Sequence, residues 1–64
     1  MKARFDDRVI TIREVPLADG GILPPGTHGF VVEGHESPET YEVEFDLADR
    51  QVLATVRPED FGVA

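Results

Sequence analysis

Apolar and polar positions alternate most strictly at Thr40-Tyr41-Glu42-Val43-Glu44-Phe45-Asp46. A period of two directs Tyr41, Val43 and Phe45 to one face and Glu42 and Glu44 to the other, the signature of a half-buried strand with an acidic outside. Gln51 to Arg57 repeats the alternation around Val52, Ala54 and Val56, after a turn at Leu47-Ala48-Asp49-Arg50. A first strand is predicted from about Arg8 to Val15, with Ile10 and Ile12 on its core face. It stops at Pro16, which cannot donate to a ladder. Another runs from about Thr27 to Gly34 around Phe30-Val31-Val32. Its internal Gly29 marks a bulge or a close backbone approach.

Between the first two strands lies a ten-residue connection, Leu17 to Gly26, rich in turn-forming residues yet carrying Leu17, Ile22 and Leu23. Those apolar side chains fold the loop back over an open end of the sheet. Near the C-terminus, Arg57-Pro58-Glu59-Asp60-Phe61 reads as one helical turn, because proline suits the first position and acids suit the positive end. Gly62-Val63-Ala64 then forms a short last strand. No helical period of useful length occurs, so the chain is predicted to be all-β. A small five-stranded barrel of SH3-like type, with a long first loop and a one-turn helix before the last strand, removes the exposed edges of such a meander. The predicted core is Ile10, Ile12, Phe30 or Val31, Tyr41, Val43 and Phe45.

Sixty-four residues allow a single domain over 1–64. With no cysteine, hydrophobic packing must hold it without disulfides or thiolate-bound zinc. No apolar run follows Met1-Lys2-Ala3-Arg4-Phe5-Asp6-Asp7 as a secretory signal requires, and no stretch is long enough to span a bilayer. A cytoplasmic location with no membrane contact is the expectation.

Charge sharpens the picture. The net charge is −7, and it is unevenly spread. Residues 1–13 carry Lys2, Arg4, Arg8 and Arg13 against Asp6 and Asp7, whereas residues 14–49 hold nine acids and no lysine or arginine. One side of the molecule is therefore expected to be strongly acidic. Such a field disfavours phosphate backbones and anionic lipid and favours a basic protein surface.

The stretch Pro24-Pro25-Gly26-Thr27-His28-Gly29-Phe30-Val31-Val32-Glu33, followed by Tyr41-Glu42-Val43-Glu44-Phe45, resembles the small bacterial family known as domain of unknown function 4926. The likeness runs from Phe5 to the C-terminus through Asp7, Arg8 and Val9, then Gly26, Gly29, Val31 and Val32, the Tyr41–Phe45 pentad, and Phe61 and Val63. It implies an SH3-like barrel and no established activity. The Gly26 to Val31 element is also similar, over about a dozen residues, to the KOW motif of ribosome- and transcription-associated barrels.

Candidate chemistry is sparse. Glu42 and Glu44 stand about 6.5 to 7 Å apart on one strand face, a spacing glycosidases use, but an exposed face has no pocket to raise one pKa and exclude water. No catalytic residue is assigned, and the chain is read as a non-enzyme. His28 and His35 lie on opposite faces or at opposite ends of one strand and lack the four closely spaced ligands of a structural metal site, so neither metal nor cofactor is expected. Of the aromatics Phe5, Phe30, Tyr41, Phe45 and Phe61, at least Tyr41 and Phe45 are spent on the core, and the basic cluster is small, which disfavours nucleic acid. The expected function is a non-enzymatic protein-interaction module, of the kind of a small antitoxin, immunity-type or accessory protein, that docks a basic partner. Its surface comprises Glu33, Glu36, Glu39, Glu42 and Glu44, with Leu17, Ile22 and Leu23 as an apolar ridge. The plainer alternatives are a solubilising acidic face and a loop packed into the core. A KOW-like module bound to nucleic acid or ribosome is the alternative of another class. The oligomeric state is expected to be a monomer or weak homodimer.

Overall fold

A computed structural model describes residues 1–64. Seven strands form two antiparallel sheets: β1 (Arg8–Thr11), β2 (Val15–Pro16), β3 (Ile22–Leu23), β4 (His28–Glu36), β5 (Glu39–Asp46), β6 (Gln51–Val56) and β7 (Phe61–Val63). The larger sheet has the order β6-β5-β4-β1-β7, and β2 pairs with β3 in a separate hairpin. A 3₁₀ turn, Pro58–Asp60, precedes β7. Its start is fixed reciprocally: the Arg57 N–H donates to Asp60 Oδ2 (2.8 Å) and the Asp60 N–H to the Arg57 carbonyl (2.9 Å). No helix is long and apolar enough to cross a membrane.

The strict alternation of β5 is realised. Tyr41, Val43 and Phe45 are fully buried, and Val9, Val15, Leu23, Val31, Val56, Phe61 and Ala3 complete the core. Each large apolar side chain so buried stabilises the fold by about 1.5–3 kcal/mol relative to exposure. The Tyr41 and Phe61 rings meet edge to face, with centroids 5.4 Å apart. β4 contributes Val31 to this core and leaves Phe30 half-buried on the opposite face.

Two expectations are corrected. The first strand is shorter and inverted: Val9 and Thr11 point inward, while Ile12 is 62% exposed and Ile10 only half-buried. Thr11 outcompetes the isoleucines because its burial leaves no polar group unpaired. Its hydroxyl donates to the Pro24 carbonyl (2.9 Å) and accepts from the Thr27 N–H (2.9 Å), and its own carbonyl accepts from the Gly26 N–H (2.7 Å). Gly26 reaches this clasp at φ +86°, a left-handed conformation that suits the residue after Pro25 in a tight turn.

The second correction concerns the ten-residue connection, which is a β2–β3 hairpin rather than an irregular loop, with Val15 opposite Leu23 and Pro16 opposite Ile22. The strand count is therefore seven, not five. Of the two readings of Gly29, close backbone approach holds: a Cβ there would lie 2.7 Å from the Glu44 carbonyl oxygen and 2.8 Å from Phe45 Cδ1. The irregularity falls three residues later: Val31 pairs with Val43 but Glu33 pairs with Glu42, so Val32 is the extra residue.

Candidate functional site

The bulge at Val32 decides which side chains share the outer face. Strict alternation from Val31 would send Glu33 and His35 inward. With one extra residue, Glu33 lies opposite the outward-facing Glu42, Gly34 opposite the buried Tyr41, and His35 opposite Thr40. Gly34 fits there because even a Cβ would approach the Tyr41 ring to 3.3 Å. Glu33, Glu42 and Glu44 thus occupy one face, with Glu44 opposite Phe30 on β4 and Leu53 on β6. The bulge also returns His28 and His35 to one face, at opposite ends of β4.

Like charges set directly opposite one another destabilise a sheet. The structure inserts His35 between them: its Nε2 lies 3.1 Å from Glu33 Oε2 and 3.2 Å from Glu42 Oε2. The other Glu42 oxygen accepts from the Thr55 hydroxyl at 2.8 Å. No lysine or arginine forms an ion pair with any of the nine acids between residues 14 and 49; the one arginine pair is Arg13 with Asp60 at 3.6 Å. The outer face therefore keeps its negative field. Apolar groups interrupt it at Leu53, 63% exposed, and at Val32 and Phe30, the last beneath the Arg8 guanidinium at 5.9 Å from the ring centroid.

The remaining predicted residues do not join this cluster. Glu39 sits across the β4–β5 turn from Glu36, on the inward parity, and is wired into the fold. Its carboxylate accepts from the Tyr41 hydroxyl in a short contact and from the Lys2 backbone N–H at 2.8 Å. These two hydrogen bonds, the tyrosine's first, hold its carboxyl below the ordinary glutamate pKa, while burial and then the Glu39 contact push the Tyr41 phenol upward. Glu36 is exposed at the tip of the turn. The apolar ridge also divides: Leu23 is buried in the core, Leu17 packs partly against it, and only Ile22 stands out, 60% exposed. Small-core packing captures Leu23 because its partner across the hairpin, Val15, is buried too.

Several contributors were not assigned from sequence. His35 and Thr55 brace Glu42, and Leu53 is the outward member of β6. The alternation of Val52, Ala54 and Val56 already carried the signal for Leu53. A cleft of about 260 Å³ opens beside it, lined by Leu53, Ala54, Thr55 and Glu42 on the sheet and by Pro16 and Ala18 from the hairpin region. The chain matches no protein-family model, no curated protein and no solved structure.

Proposed function

We propose that this chain is a non-enzymatic interaction module that docks a protein with a basic surface on its acidic outer face, in the manner of a small accessory, antitoxin or immunity-type protein. The observation that carries the reading is the face itself: Glu33 and Glu42 are held opposite each other, Glu44 lies beside them, and no lysine or arginine forms an ion pair with them. Complementary fields of this kind raise association rates and reject wrong partners. Exposed Leu53 supplies an apolar contact within the charged frame. The sheet order β6-β5-β4-β1-β7, a hairpin inserted between β1 and β4, and a 3₁₀ turn before β7 support an SH3-like scaffold, with β6 and β7 as the open edges of its larger sheet.

The KOW-like alternative needs free cations, and three of four in the N-terminal basic cluster are engaged. Lys2 Nζ donates to the Pro58 and Phe61 carbonyls, Arg8 lies over Phe30, and Arg13 pairs with Asp60. Affinity capture from the native host at low salt tests the docking reading. The expected result is a stoichiometric basic protein that salt releases and that Glu42→Lys with Glu44→Lys no longer retains. Identical recovery with wild type and variant overturns it.

A further inference from the structure

The two edges of the larger sheet are finished differently. β7 has three residues, and Lys2 Nζ donates to the Phe61 carbonyl, capping the edge. β6 has six residues and is hydrogen-bonded only to β5; Gln51, Leu53 and Thr55 are exposed, with Pro16 and Ala18 across the cleft beside them. The Leu47 N–H bonds the Arg50 carbonyl at the hairpin end. Antiparallel alternation then turns the backbone groups of Val52, Ala54 and Val56 toward β5 and those of Gln51, Leu53 and Thr55 away from it. None of these three takes part in a backbone bond outside the ladder. The segment Gln51-Val52-Leu53-Ala54-Thr55-Val56 has no charge and no proline, the devices by which edges are usually blunted.

We propose that the β6 edge pairs with the β6 edge of a second copy of this chain, antiparallel about a two-fold axis at Leu53. Only outward-turned residues can bond across such an interface, which restricts the register to pairings among Gln51, Leu53 and Thr55. Centring on Leu53 uses all three: Leu53 meets Leu53, and Gln51 meets Thr55 twice. Beyond the ladder, Asp49 and Arg50 flank one end of β6 and Arg57 the other, so in an antiparallel pair Asp49 of each copy lies toward the end where the other carries Arg57. The two acidic faces do not prevent this. Glu42 and Glu44 lie on β5, and the two β5 strands are separated by three strand spacings, about 14 Å, which exceeds the roughly 8 Å screening length at physiological salt. The exposed Leu53 side chains pack together, and the outer faces join into one continuous acidic surface presented twice. With only one edge strand contributed per copy, the dimer is weak and concentration-dependent.

Sedimentation equilibrium on the full chain reads the association directly, from about 10 µM to about 1 mM, the range in which one short edge ladder is expected to associate. A reversible monomer–dimer equilibrium is the expected result. Leu53→Pro removes an outward N–H and the apolar contact without touching a β5 bond, and it should weaken dimerisation at least about tenfold while far-UV circular dichroism stays unchanged. Because the chain has no cysteine, Leu53→Cys gives a second reading that does not depend on tolerance of proline. Directly opposed, hydrogen-bonded residues have Cα atoms about 5.5 Å apart, within disulfide reach. Oxidised Leu53→Cys should therefore form a covalent dimer much faster than Ile12→Cys, which is equally exposed but off the edge. A wild-type chain monomeric throughout the range, or equal cross-linking rates for the two cysteine variants, overturns the proposal.

Discussion

Glu39 and Glu42 are three residues apart on one strand and do opposite things. At Glu39 a carboxylate is surrounded by donors: the Tyr41 hydroxyl, the Lys2 N–H and, through Tyr41, the Ala3 N–H, which donates to the phenol oxygen at 3.2 Å. This clasp ties the N-terminal segment to the sheet, and Lys2 extends it to β7 with its ammonium 4.7 Å from the Phe61 ring centroid. At Glu42 the neighbours are another glutamate, a histidine and a threonine, and the charge is left facing solvent. The difference teaches that residue type does not decide whether an acid serves folding or display. Strand parity does, together with what the far end of the chain brings within reach.

The strongest way to break the comparison is to remove the centre of the clasp. Tyr41→Ala should destabilise the fold by about 4 kcal/mol, since it empties a fully buried aromatic position against Phe61. Denaturant unfolding followed by circular dichroism would measure it, and a loss under about 1 kcal/mol would show that the core collapses around the site. Tyr41→Phe keeps the ring and deletes only the hydroxyl. The expected loss is about 2 kcal/mol, because the buried Ala3 N–H is left without its partner.

A pH series separates the two glutamates without altering the core. Glu39 has a folded pKa below its unfolded value, held there first by Tyr41 and then by Lys2. The stability it contributes is present above the ordinary carboxylate range, about 4.3, and disappears as pH falls through the lowered folded value. Melting temperatures recorded from about pH 6 to pH 3 should fall less steeply for Glu39→Gln than for wild type; parallel curves would remove Glu39 from the acid response. At the alkaline end Tyr41 acts in the opposite sense: its raised pKa contributes stability below about pH 10 that is lost as pH rises through the folded value.

The smallest effect lies on the outer face. Glu33→Gln relieves a like-charge pair on a solvated strand and should stabilise by about 0.5 kcal/mol or less at low salt, the gain shrinking as salt is added. Destabilisation would mean that the His35 contact outweighs the repulsion.

Much of this arrangement was legible in the sequence wherever one strand face is apolar and the other is not. β5 and β6 follow their alternation residue by residue, and Pro58 with two acids marks the 3₁₀ turn. β1 was misread because Val9, Ile10 and Ile12 offer apolar side chains to both faces, so the choice passes to Thr11 and its partners at Pro24 and Thr27, 13 and 16 residues away. The β2–β3 hairpin escaped notice because strands of two residues have no period. The clasp at Glu39 joins residues 37 positions apart, beyond any local pattern. The alternation of β5 puts Glu42 and Glu44 on the outer face, as found, but the place of Glu33 beside them rests on a bulge at a valine, which carries none of the glycine signal that drew attention to Gly29.

That bulge makes the hairpin between β4 and β5 behave like a reading frame. Every residue from Glu33 to Glu36 takes its side of the sheet from the single uncounted position at Val32. Were Val32 counted into the ladder opposite Glu42, all that follows would be transposed: Glu33 would turn inward against Tyr41, and His35 away from both carboxylates it now bridges. Excising Val32 would instead leave the frame as it stands, with Glu33 still opposite Glu42 and Gly34 opposite Tyr41. A lineage can therefore drop the spacer and keep the acidic face, but it cannot absorb the spacer into the ladder without rewriting the whole line.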